Sequence, residues 1–244
     1  MKTEILTWAG FTAAVVAALS TQAQGTFQNL DFEQADPVPI VGSSLYPYAV
    51  TAASALPGWT CSIGGVTTTQ VLQNDYSTGA ASIDILGPNW NTANPGLIDG
   101  NYTVFLQAGP ANNGSGAFNA SISEDGTVPA NAEWLELKAW SYLPNAPFSV
   151  SFDGNILSPS AFSTGQSSSG QAYTLYGFDI APYAGQTGPL QLTSIFSTAG
   201  PSGTEFDDIS FSPIGVTPEP DPLVLTAIGG LLFALYRRFA PKRQ

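Results

Sequence analysis

The sequence contains no histidine. A chain without imidazole lacks the one side chain whose ordinary pKa places a charge change between about pH 5 and 8, and it cannot assemble a Ser-His-Asp or Cys-His catalytic site. Cysteine is nearly as scarce: Cys61 stands alone, so no intramolecular disulfide forms, and a domain of this size must build its core without one. Within Trp59-Thr60-Cys61-Ser62-Ile63 the thiol is expected as a small core hydrophobe. Positive charge is missing from the middle of the chain. Lys138 is the only basic residue between positions 24 and 216, where fifteen acids bring the net charge to −14. Such a surface repels phosphate backbones and anionic headgroups, which argues against nucleic acid and peripheral membrane binding and suits cations or neutral glycans.

Long apolar runs are confined to the two ends. Lys2 precedes the apolar stretch from Ala9 to Leu19, and Ser20-Thr21-Gln22-Ala23 follows with small residues placed for a cut after Ala23. This order of charge, apolar run and cleavage site is expected of a secretory signal peptide over 1–23. At the other end Leu223 to Tyr236 is apolar, and Arg237, Arg238, Lys242 and Arg243 come directly after it. As a helix the run rises about 21 Å against a hydrocarbon core of about 30 Å, a short transmembrane segment that needs snorkelling arginines to span. The basic end favours a cytoplasmic C-terminus and leaves the domain before it outside.

Between the ends, runs rich in Val, Ile, Thr, Phe and Tyr alternate with clusters of Gly, Pro, Asn, Asp and Ser, the pattern of strands separated by turns. Strands are predicted near 26–33, 45–52, 59–63, 66–72, 81–86, 102–108, 117–123, 133–140, 147–152, 172–180, 189–196 and 205–212, with Ser158 to Gly170 as a mobile surface loop. About a dozen short strands without a βαβ rhythm predict an all-β domain over 24–215, a jelly-roll β-sandwich. Val216 to Pro222 then links it to the tail of 216–244. Pro218 and Pro220 keep that linker extended, because proline fixes φ and lacks an amide proton.

The tail's three parts, Thr217-Pro218-Glu219-Pro220, a short apolar helix and a basic end, closely resemble the PEP-CTERM sorting signal of Gram-negative bacteria. The resemblance implies that Pro218, Glu219 and Pro220 are the processing motif of a membrane-embedded exosortase. Arg237 and Arg238 then serve as basic retention residues in the inner membrane, and the mature protein goes to the outer surface or an extracellular polymeric matrix. A second resemblance lies at the domain's edges. Phe27-Gln28-Asn29-Leu30-Asp31-Phe32-Glu33 and Glu205-Phe206-Asp207-Asp208-Ile209-Ser210-Phe211 look like the first and last strands of galactose-binding-like jelly rolls, the fold of many carbohydrate-binding modules. It implies that these strands are neighbours and that Glu33 and Asp208, with Asp207 and Asp31 behind them, hold a structural calcium. The available ligands are hard oxygens, which suit calcium and not zinc or copper.

Sugar binding asks for planar aromatics beside amides and carboxylates in a concavity. Trp90, set among asparagines in Gly87-Pro88-Asn89-Trp90-Asn91, is the candidate glycan-binding residue. Trp59 and Trp134 fall in strand patterns expected to face the core, and Trp140 and Tyr142 precede a turn where they can line a rim. The expected function is an exported, non-enzymatic surface or matrix protein that contacts carbohydrate or exopolysaccharide. The alternatives are a structural or adhesive envelope component and a polysaccharide-active enzyme using paired carboxylates.

Overall fold

The computed structural model describes residues 25–45, 47–75, 79–90, 96–110, 116–142, 147–198 and 200–214. The predicted signal peptide, Pro218, Glu219, Pro220, Arg237 and Arg238 lie outside the described residues. Among the described residues no helix is long and apolar enough to cross a membrane.

Two antiparallel-dominated sheets form a β-sandwich, as the turn-punctuated sequence predicts. The short sheet runs β11 (Asn155–Leu157), β10 (Phe148–Phe152), β14 (Thr187–Ser194), β8 (Ala120–Thr127), β2 (Thr60–Ile63) and β3 (Val66–Thr68). The long sheet runs β1 (Ala49–Thr51), β4 (Gln70–Gln73), β5 (Ser82–Leu86), β6 (Thr103–Pro110), β15 (Ser202–Ser212), β9 (Trp134–Ser141), β13 (Ala172–Asp179) and β12 (Pro159–Gln166), with β7 (Ala117–Phe118) paired to β6.

Alternation decides which face is buried. In β9 the residues Leu135, Leu137 and Ala139 point into the core while Trp134, Glu136, Lys138 and Trp140 stay partly exposed, the period of two that a strand requires. In β8, Ala120 and Ile122 turn inward the same way. The sheets meet through aromatic contacts: Phe148 of β10 sets its ring edge-on to Phe206 of β15 at 5.3 Å and to Tyr176 of β13 at 5.1 Å. Trp59 and Cys61 are buried in this core as expected, and burial pushes the Cys61 thiol up to about 12. Trp134 is only half-buried, because it falls in the outward phase of β9.

Two sequence expectations are corrected. Residues 27–33 form turns and not a strand, since Asn29 and Phe32 take left-handed φ values of 51° and 58°. The segment still lies beside the last strand: Ile209 N–H donates to Leu30 O at 3.0 Å, and Trp59 Nε1 donates to Asn29 O at 3.2 Å. Ser158 to Gly170, expected as a loop, contains β12, whose backbone pairs with β13 from Pro159 to Gln166. An edge strand needs backbone hydrogen bonds on one side only and no apolar face, so a Ser/Thr-rich segment can supply it.

The strands β5 and β6 are buried along nearly their whole length on both faces. One face meets the short sheet. Beside the other, Gly96 to Asp99 are tied by hydrogen bonds to Gln171, Ser169, Thr103 and Asp207.

Candidate functional site

The ladder between β15 and β9 is interrupted by a bulge between Asp207 and Ser210, and Asp208 there adopts a left-handed φ of 47°. Bulges re-aim side chains, and aspartate tolerates that conformation better than most residues. The bulge and the chain around it gather Asp31, Glu33, Asp99, Gly100, Asp207 and Asp208 around a cleft of about 240 Å³. All four acids that the sequence proposes as metal ligands are therefore brought together, and Asp99 joins them.

Their oxygens face protein donors. Glu33 Oε1 accepts from Asn101 N at 2.7 Å and Tyr102 N at 2.9 Å, while Oε2 accepts from Asn101 Nδ2 at 2.9 Å. This clasp depends on Gly100, where φ is +50° and a Cβ would stand 2.2 Å from Glu33 Oε1. Asp207, almost wholly buried, accepts from Thr103 Oγ1 at 2.6 Å, Asp99 N at 3.0 Å and Asp208 N at 2.8 Å. Lys138 pairs with Asp208 Oδ2 at 2.9 Å and with Asp99 Oδ2, and its ammonium stands 5.3 Å from the Tyr173 ring centre. The hydrogen bond from Lys138 holds the Asp99 carboxyl below its ordinary range. Burial pulls the Lys138 ammonium down, but Asp99 and Asp208 outweigh it and raise it overall. The donor chemistry suits calcium, yet among the described residues no three acidic, histidine or cysteine side chains converge as a metal cage. Lys138 supplies positive charge to Asp99 and Asp208.

One row further along the same face lies a feature that the sequence reading missed. Register pairs put Asp84, Phe105, Glu205 and Trp140 side by side across β5, β6, β15 and β9, and residues paired across strands share a face. Glu205 is fully buried, and neither carboxylate oxygen has a hydrogen-bond partner. Asp84 is also fully buried; its Oδ2 accepts from Asp75 N at 2.9 Å and its Oδ1 has none. Phe105 fits between them because its ring lies against Gly203, where a Cβ would come within 2.1 Å of it. Burial raises the carboxyl of Asp84 to about 8, and burial together with the Asp207 charge raises Glu205 well above the usual range.

A strap beside this face runs from Gly96 to Asp99. Gly96 N donates to Gln171 Oε1 at 2.6 Å, Leu97 O accepts from Ser169 Oγ at 2.9 Å, Ile98 N donates to Thr103 Oγ1 at 3.0 Å, and Asp99 N ends on Asp207. These anchors tie it to the turn before β13 at one end and to β6 and β15 at the other. Beside it, half-buried Trp140 meets Tyr142 edge-on at 6.3 Å, and Tyr142 is 53 % exposed. Tyr173 is half-buried on β13, and Trp90 is half-buried in the turn after β5, its N–H donating to Gly87 O at 2.9 Å. The sequence signal for Glu205 was present in part: Glu205 and Asp207 alternate with Phe206 on one strand, but nothing in one dimension shows that their outward face is covered.

No protein family and no curated protein matches the chain. Among solved structures, it is similar to the enzymatically active domain of tailspike protein 4 from bacteriophage CBA120, with a TM-score of 0.33 and 14 % identity over 66 % of this chain and 20 % of that one. It is also similar to an arabinose-bound α-L-arabinofuranosidase, with a TM-score of 0.26 and 12 % identity over 76 % of this chain and 27 % of that one. The chain thus spans about a fifth to a quarter of the length of these structures.

The buried acids fix the sign of the pH dependence. In the unfolded chain Asp84 and Glu205 ionise in the ordinary carboxylate range, whereas in the folded domain they keep their protons to higher pH. The unfolded state therefore binds fewer protons across that window, and stability is full below about pH 4 with respect to these groups and falls as pH rises. Denaturant midpoints measured across that range should decline toward pH 8, and Asp84→Asn should flatten the decline without lowering stability at the alkaline end.

Proposed function

We propose that the domain is a non-enzymatic module that contacts polysaccharide through the outer face of its long sheet, carried by a protein exported to the cell surface or extracellular matrix. The observation that supports this reading is the group of partly exposed rings, Trp140, Tyr142 and Tyr173, set on one sheet face beside carboxylates. Rings of this kind supply broad apolar area with a polar edge, and neighbouring carboxylates accept from hydroxyls. Trp90 adds a further ring at the turn after β5. The non-enzymatic part of the reading is supported by the lack of histidine, which leaves the chain without the usual general base near neutral pH. A glycan array with the full-length protein should give binding that weakens about tenfold or more in Trp140→Ala, with a smaller loss in Trp90→Ala. Absence of binding to any glycan would move the reading to a structural or adhesive envelope component.

For the tail, the proposal is that Pro218, Glu219 and Pro220 are read by an exosortase-type enzyme while Leu223 to Tyr236 and the arginines hold the precursor in the inner membrane. The support is the ordered arrangement of tripeptide, apolar run and basic end. Replacing the tripeptide with alanines should leave uncut precursor in the inner-membrane fraction; processing identical to the wild type would overturn it.

For the acidic cleft, we propose a structural calcium held by Glu33 and Asp208, with Asp31 and Asp207 in support. What favours a cation is charge: Asp31, Glu33, Asp99 and Asp208 surround the cleft with buried Asp207 behind them, and one lysine answers them. The ion would compete with Lys138 for Asp208. Calcium should then raise the melting midpoint and chelator lower it, since a ligand bound only by the native state stabilises it; a midpoint indifferent to both would refute the assignment.

A further inference from the structure

Resting on the polysaccharide reading, we propose that the preferred ligand is an amino glycan, a polymer whose sugars carry free, charged amines, and that Glu205 receives the amine. Three observations converge on this. The first is Glu205 itself. A carboxylate taken out of water without a partner is costly, and native chains avoid it unless the group is protonated or a ligand completes it. Glu205 has no partner at either oxygen, although Thr103, Asp99 N–H and Asp208 N–H are all present nearby and bond to Asp207 instead. The domain's single lysine is held by Asp99 and Asp208. No cation of the domain is left to answer Glu205.

The second is what stands beside it. Trp140 is the register neighbour of Glu205, and Tyr142, exposed at its outer end, meets Trp140 edge-on. An ammonium is attracted to the face of such rings as well as to a carboxylate. The pairing therefore selects a sugar that bears positive charge over one that bears only hydroxyls. The third is the long-range field. A domain of net charge −14 raises the local concentration of a cationic polymer and repels an anionic one.

Glu205 is fully buried, so the ligand reaches it only when its cover opens, and the chain from Gly96 to Ile98, which ends at Asp99 on Asp207 of the same strand, is the segment that lifts. That segment is held by side-chain acceptors and donors of Gln171, Ser169 and Thr103, not by a strand ladder. Binding leaves Glu205 ionised against the ammonium, and the proton it held goes to solvent.

The test uses the full-length protein and three β-linked hexasaccharides: glucosamine, its N-acetylated form, and glucose. At a pH where the amine is charged, the glucosamine oligomer should bind about tenfold or more tightly than either neutral oligomer, with heats that vary with the ionisation heat of the buffer because a proton is released. Glu205→Gln keeps the side chain's shape and cannot ionise, so its melting midpoint should equal or exceed that of the wild type. Its affinity for the glucosamine oligomer should fall about tenfold, leaving only the weak preference that the domain's net charge supplies. Trp140→Ala should weaken all three. Equal affinities in the wild type, a preference undiminished by Glu205→Gln, or a lysine hexapeptide that binds as tightly as the glucosamine oligomer would overturn the proposal while leaving glycan contact standing. Loss of binding to every oligomer in the wild type would remove both.

Discussion

Lys138 is the cation on which the acidic end of the long sheet depends. Within the domain it is the one positive side chain set among fifteen negative ones, and it bridges two elements distant in sequence: Asp99 at the end of the strap and Asp208 on the bulge. Both pairs are partly screened, since Asp99 and Asp208 remain about half exposed at their side chains, so each bond alone contributes modestly. Their joint effect is positional. They fix the end of the strap against the sheet at the point where Asp207 also accepts the amide of Asp99.

Central strands of this sandwich carry acids in covered positions where a half-solvated sheet would show ordinary surface residues. Asp84 and Glu205 occupy outward positions, in phase with the exposed residues of β9, yet both are buried. A covered polar position loses water without gaining the apolar packing of the core, and the cost appears as raised pKa values and unpartnered oxygens. Next to it the cover ends, and Trp140, Tyr142 and Tyr173 come to the surface. Charge, aromatic area and incomplete hydrogen bonding are thus concentrated on one side of the molecule.

Asp31, Glu33, Asp207 and Asp208 show how far reading the chain in one dimension carried. They were grouped as neighbours through the likeness of two distant segments to paired strands, and the cleft does contain them all. The means differ: the first segment is a chain of turns with left-handed Asn29 and Phe32, and it reaches β15 through the amide of Ile209 that the bulge leaves free. Glu33 uses its oxygens on the backbone of Asn101 and Tyr102, a contact across 68 positions that no local pattern encodes.

The sequence by itself determined the β-sandwich, because alternation of apolar and polar residues is a local property that the pleat converts directly into a buried and an open face, as in Leu135, Leu137 and Ala139. It also determined the charge of the domain, which depends on composition alone. Only the tertiary structure decided that β12 forms from a Ser-rich segment, since an edge strand is made by its neighbour's hydrogen bonds and not by its own side chains. Only the tertiary structure decided the fate of Glu205, because whether an outward-facing acid meets water depends on what folds over that face, and contacts there join distant parts of the chain, as Asp99 N–H does in reaching Asp207 more than a hundred residues on.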